Sequence, residues 1–268
     1  MVMEINNCSA LAESIASLYS LPIPLDEIAE DEGIIVIYDN YGQNTFDGMT
    51  WYVPEQDIFY IHINTERGNT RNSRKGRFTL AHELGHYFID HHRQALECGK
   101  MQPHIHRYNP FGKNEDWAIE READEFAAQL LMPLSLVRNE FIGRPFSGDL
   151  LQQVSDKFLV SFSACALRYM KLNLIPIMLV YAEDGMVKWQ MRSDDFPFWR
   201  LRYGTDKIPE NTVMGDYFFK HDSTYCRQSE IVFASDCFHT QSEDENQLQF
   251  FEYCIPHGYR AISIFWQK

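Results

Sequence analysis

The spacing of hydrophobic positions changes character along the chain, and each change predicts an element. Leu11, Ile15, Leu18 and Tyr19 recur at helical intervals over residues 9–21, and Pro22 and Pro24 end that amphipathic helix. The β-branched run Ile34-Ile35-Val36-Ile37-Tyr38 leaves through Asn40 and Gly42 and reads as a buried strand. Residues 46–53 and 58–63 alternate on either side of Pro54-Glu55-Gln56-Asp57, a turn that suits an antiparallel hairpin. In the second of these strands Phe59, Ile61 and Ile63 make an apolar face opposite Ile58, Tyr60 and Asn64.

Past a basic loop at residues 67–75, a helix begins near residues 74–76 and runs to about His91. Residues 96–114 keep no period and read as an irregular loop, of a length that usually serves a function. Residues 117–131 are strongly helical, with Ile119, Ala123, Phe126, Ala127, Leu130 and Leu131 on one face, and Met132-Pro133 closes the helix. Two shorter helices fit residues 150–158 and 161–172, Ser161 suiting the N-cap of the second, and together they resemble a helix-turn-helix. After Pro176 the composition turns to strands at residues 177–182, 187–191, 230–235, 250–254 and 259–266. The whole reads as an α+β chain in three parts: residues 1–145, a helical segment at 146–174 packed on it, and a smaller strand-rich domain at 175–268. The boundary of that last domain falls near residues 173–176.

Composition narrows the class. The chain has 268 residues, enough for two modest cores, and its 45% hydrophobic and 14% aromatic content suit a folded globular protein. A net charge of −14 opposes the attraction that supplies most non-specific nucleic-acid affinity, which argues against direct DNA binding. No stretch nears the roughly 18 apolar residues of a membrane span, and the N-terminus lacks the pattern of a secretory signal, so a cytoplasmic protein is expected. Cys8, Cys98, Cys165, Cys226, Cys237 and Cys254 are scattered without a metal-binding or redox spacing and are expected to be buried free thiols. Phe196, Phe198, Trp199 and Trp266 are expected in the core of the last domain.

The candidate chemistry lies in His82-Glu83-Leu84-Gly85-His86. On a helix, residues four apart differ by roughly 40° and 6 Å, so both imidazoles leave one face and can share a metal. Glu83 sits on the flank of that face, where it reaches water at the metal more easily than the metal itself. A catalytic zinc takes three protein ligands and keeps one position open. Helix 117–131 offers the third: Glu120 lies four residues before Asp124, so when Glu120 binds, Asp124 can accept a hydrogen bond from a ligating imidazole. Glu122 and Glu125 compete for that role, and Glu120 is preferred because Glu122 lies about 200° round the helix and has no carboxylate at four-residue spacing.

Other histidines are weighed more plainly. His91 and His92 are expected to be exposed or structural. His104, His106, Arg107 and Tyr108, on the loop between the two helices, are candidates to stabilise an oxyanion. The strand at residues 46–53 could take an extended substrate by strand addition.

Two segments carry a resemblance to a known family. Phe78-Thr79-Leu80-Ala81-His82-Glu83-Leu84-Gly85-His86, and the stretch from Glu120-Arg121-Glu122-Ala123-Asp124 through Phe126-Ala127-Ala128 to Leu130-Leu131-Met132-Pro133, resemble the ImmA/IrrE zinc metallopeptidases. The likeness runs from about residue 11 to residue 172. It implies a gluzincin-like core of a small antiparallel sheet, an active-site helix and a glutamate helix. It implies Zn2+ held by His82, His86 and Glu120, with Glu83 as the catalytic glutamate. It also implies a cytoplasmic stress-response endopeptidase whose protein substrate is a transcriptional repressor. The helix pair at residues 150–172 resembles the family's helix-turn-helix-like segment, but Arg144, Lys157, Arg168 and Lys171 are set against Asp149 and Asp156, which favours packing over DNA reading. The competing reading is a non-catalytic, zinc-containing regulatory protein that binds a repressor or DNA, and an intact Glu83 argues against it.

Overall fold

A computed structural model describes residues 2–100, 104–106, 117–202 and 206–268. The elements run α1 (Val2–Ala16), α2 (Leu25–Asp31), β1 (Ile35–Asp39), β2 (Gly48–Val53), β3 (Ile58–Asn64), α3 (Arg74–Phe88), α4 (Asp90–Glu97), β4 (His104–His106), α5 (Trp117–Leu131), α6 (Leu134–Phe141), α7 (Gly148–Lys157) and α8 (Phe162–Leu172). They continue as β5 (Ile177–Glu183), β6 (Met186–Arg192), α9 (Val213–Phe219), β7 (Ser229–Phe233), α10 (Ala234–Cys237), α11 (Glu243–Asn246), β8 (Gln249–His257) and β9 (Arg260–Gln267). Both sheets and most helices fall where the hydrophobic pattern puts them, and the fold is α+β.

The differences have physical reasons. Helix α1 starts and ends earlier than the spacing suggests. The seven-residue α2 and the eight-residue α6 follow prolines, which the sequence offered as stops and the fold uses as starts. The motif helix does not reach His91: Ile89, extended at φ −78°, ψ 111°, ends α3 and caps α4. The supposed loop at residues 96–114 contains the end of α4 and the short strand β4, and its remaining residues past Lys100 lie outside those described.

The chain forms two compact units, Met1–Val137 with Ser155–Ser161, and Arg138–Val154 with Phe162–Lys268. Residues 146–174, expected as a segment of their own, therefore contribute to both. In the first unit the sheet order is β1-β3-β2-β4. The β2–β3 hairpin is antiparallel as expected, but β1 pairs parallel to β3, so the sheet is mixed. Strand β1 is an edge and not a buried strand, with Ile35 41% exposed. Strand β2 is not a free edge either, because β4 pairs with it antiparallel at Gly48, Met49 and Thr50. The alternation in β3 holds: Phe59, Ile61 and Ile63 are buried, and α3 lies against this strand and β2.

In the second unit five antiparallel strands lie in the order β6-β5-β9-β8-β7. Phe196, Phe198, Phe238, Phe250 and Phe265 fill its core with Met178 and Val180. Trp266 is buried as expected, whereas Trp199 is 80% exposed under the Arg192 guanidinium, 4.0 Å from its ring centre. Glu252 is fully buried there, accepting hydrogen bonds from the backbone N–H of Val213 (2.7 Å) and Met214 (3.1 Å) and from the Ser263 hydroxyl (2.7 Å). Burial pushes its carboxyl up to about 7 despite those donors. None of the six cysteines is in a disulfide; Cys8, Cys165, Cys237 and Cys254 are buried, but Cys98 is exposed and Cys226 half-buried.

Candidate metal centre

The site is built on α3, and the segment before it is tightly held. The Ser73 side chain accepts from the Gly76 N–H at 2.9 Å, capping the helix. Gly76 is required there, since a Cβ would stand 2.2 Å from the Thr70 carbonyl oxygen. Buried Asp47, just before β2, binds Arg67 (3.0 Å), Lys75 (2.6 Å) and Asn69 (3.0 Å), tying the loop to the sheet. Burial alone would raise the Asp47 carboxyl, and hydrogen bonds from Arg67, Lys75 and Asn69 overcome it, holding it below the usual carboxylate range.

On the inner side of α3, His82, Glu83 and His86 are all fully buried. Helix α5 comes close because the facing residues are small: a Cβ on Gly85 would lie 3.2 Å from Ala123 Cα and 3.2 Å from the Phe126 ring. That approach delivers Glu120 and Asp124. His82 Nε2 and His86 Nε2 are 3.1 Å apart; His82 Nε2 is 3.4 Å from Glu120 Oε2, and His86 Nε2 is 3.4 Å from the other carboxylate oxygen, Oε1. Ligand atoms on one tetrahedral zinc, with bonds of about 2.0–2.1 Å, stand about 3.3 Å from one another. The two nitrogens have the spacing of such an ion's ligands, each has a Glu120 oxygen at a similar distance, and two imidazoles with one carboxylate suit its chemistry.

The outward nitrogens are engaged as well. His82 Nδ1 lies 2.8 Å from Asp124 Oδ1, and His86 Nδ1 lies 3.2 Å from His92 Nδ1. Burial would lower the His82 pKa, yet Asp124 and Glu120 push it up to about 10, so the pocket strongly favours positive charge. Glu83, beside His82 in the chain, contacts the sheet. The Thr50 hydroxyl donates to its Oε2 at 2.7 Å, and Oε1 lies against the backbone of Gly48, where a Cβ would be 2.6 Å away.

All five residues singled out in the sequence thus stand in one place, with His82, His86 and Glu120 converging and Asp124 behind His82. The competitors do not converge: Glu122 faces His91 and His92, and Glu125 accepts from the Ser9 hydroxyl at 3.3 Å. Of the pair expected to be exposed or structural, His92 is fully buried and His91 is exposed. Among the described residues two triplets could hold a metal ion, His82–His86–Glu120 and His91–His92–Glu122. Thr50 and Gly48 were missed by the sequence reading; a glycine inside a strand was the one available sign of a close approach. In register, His104 stands opposite Thr50 and His106 opposite Gly48, while Arg107 and Tyr108 lie outside the described residues. Arg168, counted among the basic residues of the helix pair, is buried, and Asp156 is ion-paired to Arg74.

Among the described residues no helix is long and apolar enough to cross a membrane. No curated protein matches the chain. Among solved structures, a Mycobacterium tuberculosis transcriptional regulator is similar over 97% of this chain and 76% of its own, at 15% identity and a TM-score of 0.54, a likeness of fold alone. The family model of the IrrE N-terminal-like domain, a peptidase family, matches residues 29–170. It covers both helices of the site and more than half of the chain, and the chain accordingly belongs to this IrrE-like peptidase family.

Proposed function

We propose that the protein is a zinc-dependent endopeptidase in which His82, His86 and Glu120 hold the metal, Asp124 orients His82, and Glu83 is the general base. The observation that carries the reading is the convergence of two imidazole nitrogens and the Glu120 carboxylate beside a buried glutamate held by Thr50. A zinc ion held there would polarise a substrate carbonyl and make water acidic near neutral pH. Glu83 would take the proton from that water at Oε1 while Thr50 holds Oε2, then pass it to the leaving amine. Among the described residues β4 is the edge strand beside β2, so an extended substrate strand would add there and not on β2. The substrate class proposed, a transcriptional repressor, rests on the family resemblance.

The test is Glu83→Gln, which keeps the side-chain shape and leaves the three ligands untouched. Zinc content and fold should survive while cleavage of repressors co-expressed with the protein falls by about a hundred- to ten-thousand-fold. Cleavage at the wild-type rate would remove Glu83 from the mechanism. Regulation of the repressor without any cleavage, by variant and wild type alike, would establish the non-catalytic regulator instead.

A further inference from the structure

The second histidine–glutamate triplet has a different meaning from the first. His92 lies between His86 and Glu122: its Nδ1 is 3.2 Å from His86 Nδ1, and its Nε2 is 3.3 Å from Glu122 Oε2. The same oxygen stands 2.8 Å from His91 Nε2. His92 and Glu122 are both buried, whereas the His91 side chain is 58% exposed. Taken alone, the triplet looks like a second metal site.

Proton placement decides against that. A neutral imidazole carries one proton on two nitrogens. If His86 ligates through Nε2, its proton sits on Nδ1, and the His92 nitrogen facing it must be a bare acceptor. The His92 proton is then on Nε2, 3.3 Å from the Glu122 carboxylate. A metal on His92 Nε2 would instead require a proton on His92 Nδ1, setting two N–H groups against each other at 3.2 Å. Occupation of the first triplet therefore leaves His92 in the wrong tautomer for the second.

We propose that His92, its tautomer set by Glu122, is the positioning residue of His86, as Asp124 is of His82. The proposal rests on the metal site proposed above. The helix break at Ile89 makes it possible. In an unbroken helix, six residues would carry His92 about 240° round and 9 Å along from His86, out of reach. Ending α3 at Phe88 and restarting at Asp90 turns His92 back onto the motif.

The test uses the full chain, with zinc affinity measured by competition against a chelator and histidine tautomers read from nitrogen-15 spectra of the zinc-loaded protein. His92→Phe keeps a ring without an acceptor and should weaken zinc binding about ten- to a hundredfold. His92→Asn, whose carboxamide oxygen can take the place of Nδ1, should recover most of that loss. Glu122→Gln should lose less than His92→Phe, and His91→Ala should bind as tightly as wild type. In the wild type the His92 proton should be on Nε2. A proton on His92 Nδ1, a metal-bound signal at His92 Nε2, a second zinc lost in His91→Ala, or undiminished affinity in a folded His92→Phe would each overturn the proposal. The wild-type spectra decide even where a variant does not fold. Undiminished binding in His82→Ala would remove the metal site itself, whereas its loss there alongside full retention in His92→Phe would remove only the role of His92.

Discussion

Gly48→Ala is a small change whose consequence follows from three distances. The added methyl would stand 2.6 Å from Glu83 Oε1, 2.8 Å from Glu83 Cγ and 2.7 Å from Thr79 Cγ2. Carbon pairs settle at about 3.5–4.0 Å, so one partner must move by about 1 Å. Thr79 is anchored through its hydroxyl to Asn69 Oδ1 at 2.9 Å, and Gly48 is paired on both sides, to Ile63 and His106. The Glu83 carboxylate is the softest of the three groups, although its movement strains the bond to Thr50. Overpacking of this kind costs about 1–3 kcal/mol of stability, and a catalytic group misplaced by about 1 Å costs about a hundredfold in rate.

Gly48→Ala should therefore cleave about a hundredfold more slowly than wild type, between wild type and Glu83→Gln, while its zinc affinity stays within about threefold because no ligand is touched. The assay pairs cleavage rates of a co-purified substrate with chelator competition on the same preparation, and a thermal melt confirms the fold. Thr50→Val, which removes the hydroxyl that holds Oε2, should lower cleavage in the same direction without loss of zinc. Unimpaired cleavage by a folded Gly48→Ala protein would show that Glu83 does not need its place against β2. Zinc and cleavage lost in equal measure would show that the glycine serves the ligands and not the base.

Glu120→Gln should lose zinc affinity by more than about a hundredfold, exceeding the loss in Glu122→Gln, since partners behind the ligands are themselves worth about ten- to a hundredfold; the reverse order in a chelator titration would show that the phase of α5 is misread. Glu252 gives a pH dependence of opposite sign to an ordinary salt-bridged acid. Its folded value of about 7 lies above the ordinary 4.5, so its stabilising contribution is full below about pH 4.5 and is lost as pH rises through about 7, for a difference of roughly 3 kcal/mol. Denaturant midpoints of wild type and Glu252→Gln between pH 5 and 8 should diverge in slope, and parallel profiles would refute the assignment.

Much of this was legible in the sequence wherever a period was long or a spacing short. Helix α5 could be read to the residue because fifteen positions carry one stripe, and Ala123, Phe126, Ala127 and Leu130 on it are indeed fully buried. The pair His82 and His86 was legible because helical geometry alone puts residues four apart on one face. Short elements were not: α2, α6, β4 and α9 have three to eight residues, too few for a period to rise above chance, and they exist because neighbouring elements hold them. The reading of β1 as buried failed for a related reason, since a β-branched run looks the same whether one flank or both are covered, and only pairing shows that no strand among the described residues lies beyond β1.

The site divides in the same way. Its proposed ligands belong to two helices, whereas the groups proposed to orient the ligands and the base come from elsewhere: Thr50 and Gly48 from a strand 33 and 35 positions before Glu83, and His92 from beyond a helix break. Such partners follow from sheet register and from the angle at which one helix ends and the next begins, neither of which a local pattern encodes. The break at Ile89 is the clearest instance. The hydrophobic pattern carries the motif helix straight on to His91, and in that straight helix His92 would be a bystander. A single extended residue brings His92 against His86, and with it Glu122, ranked below Glu120 as a ligand on spacing, takes a place behind the proposed metal centre.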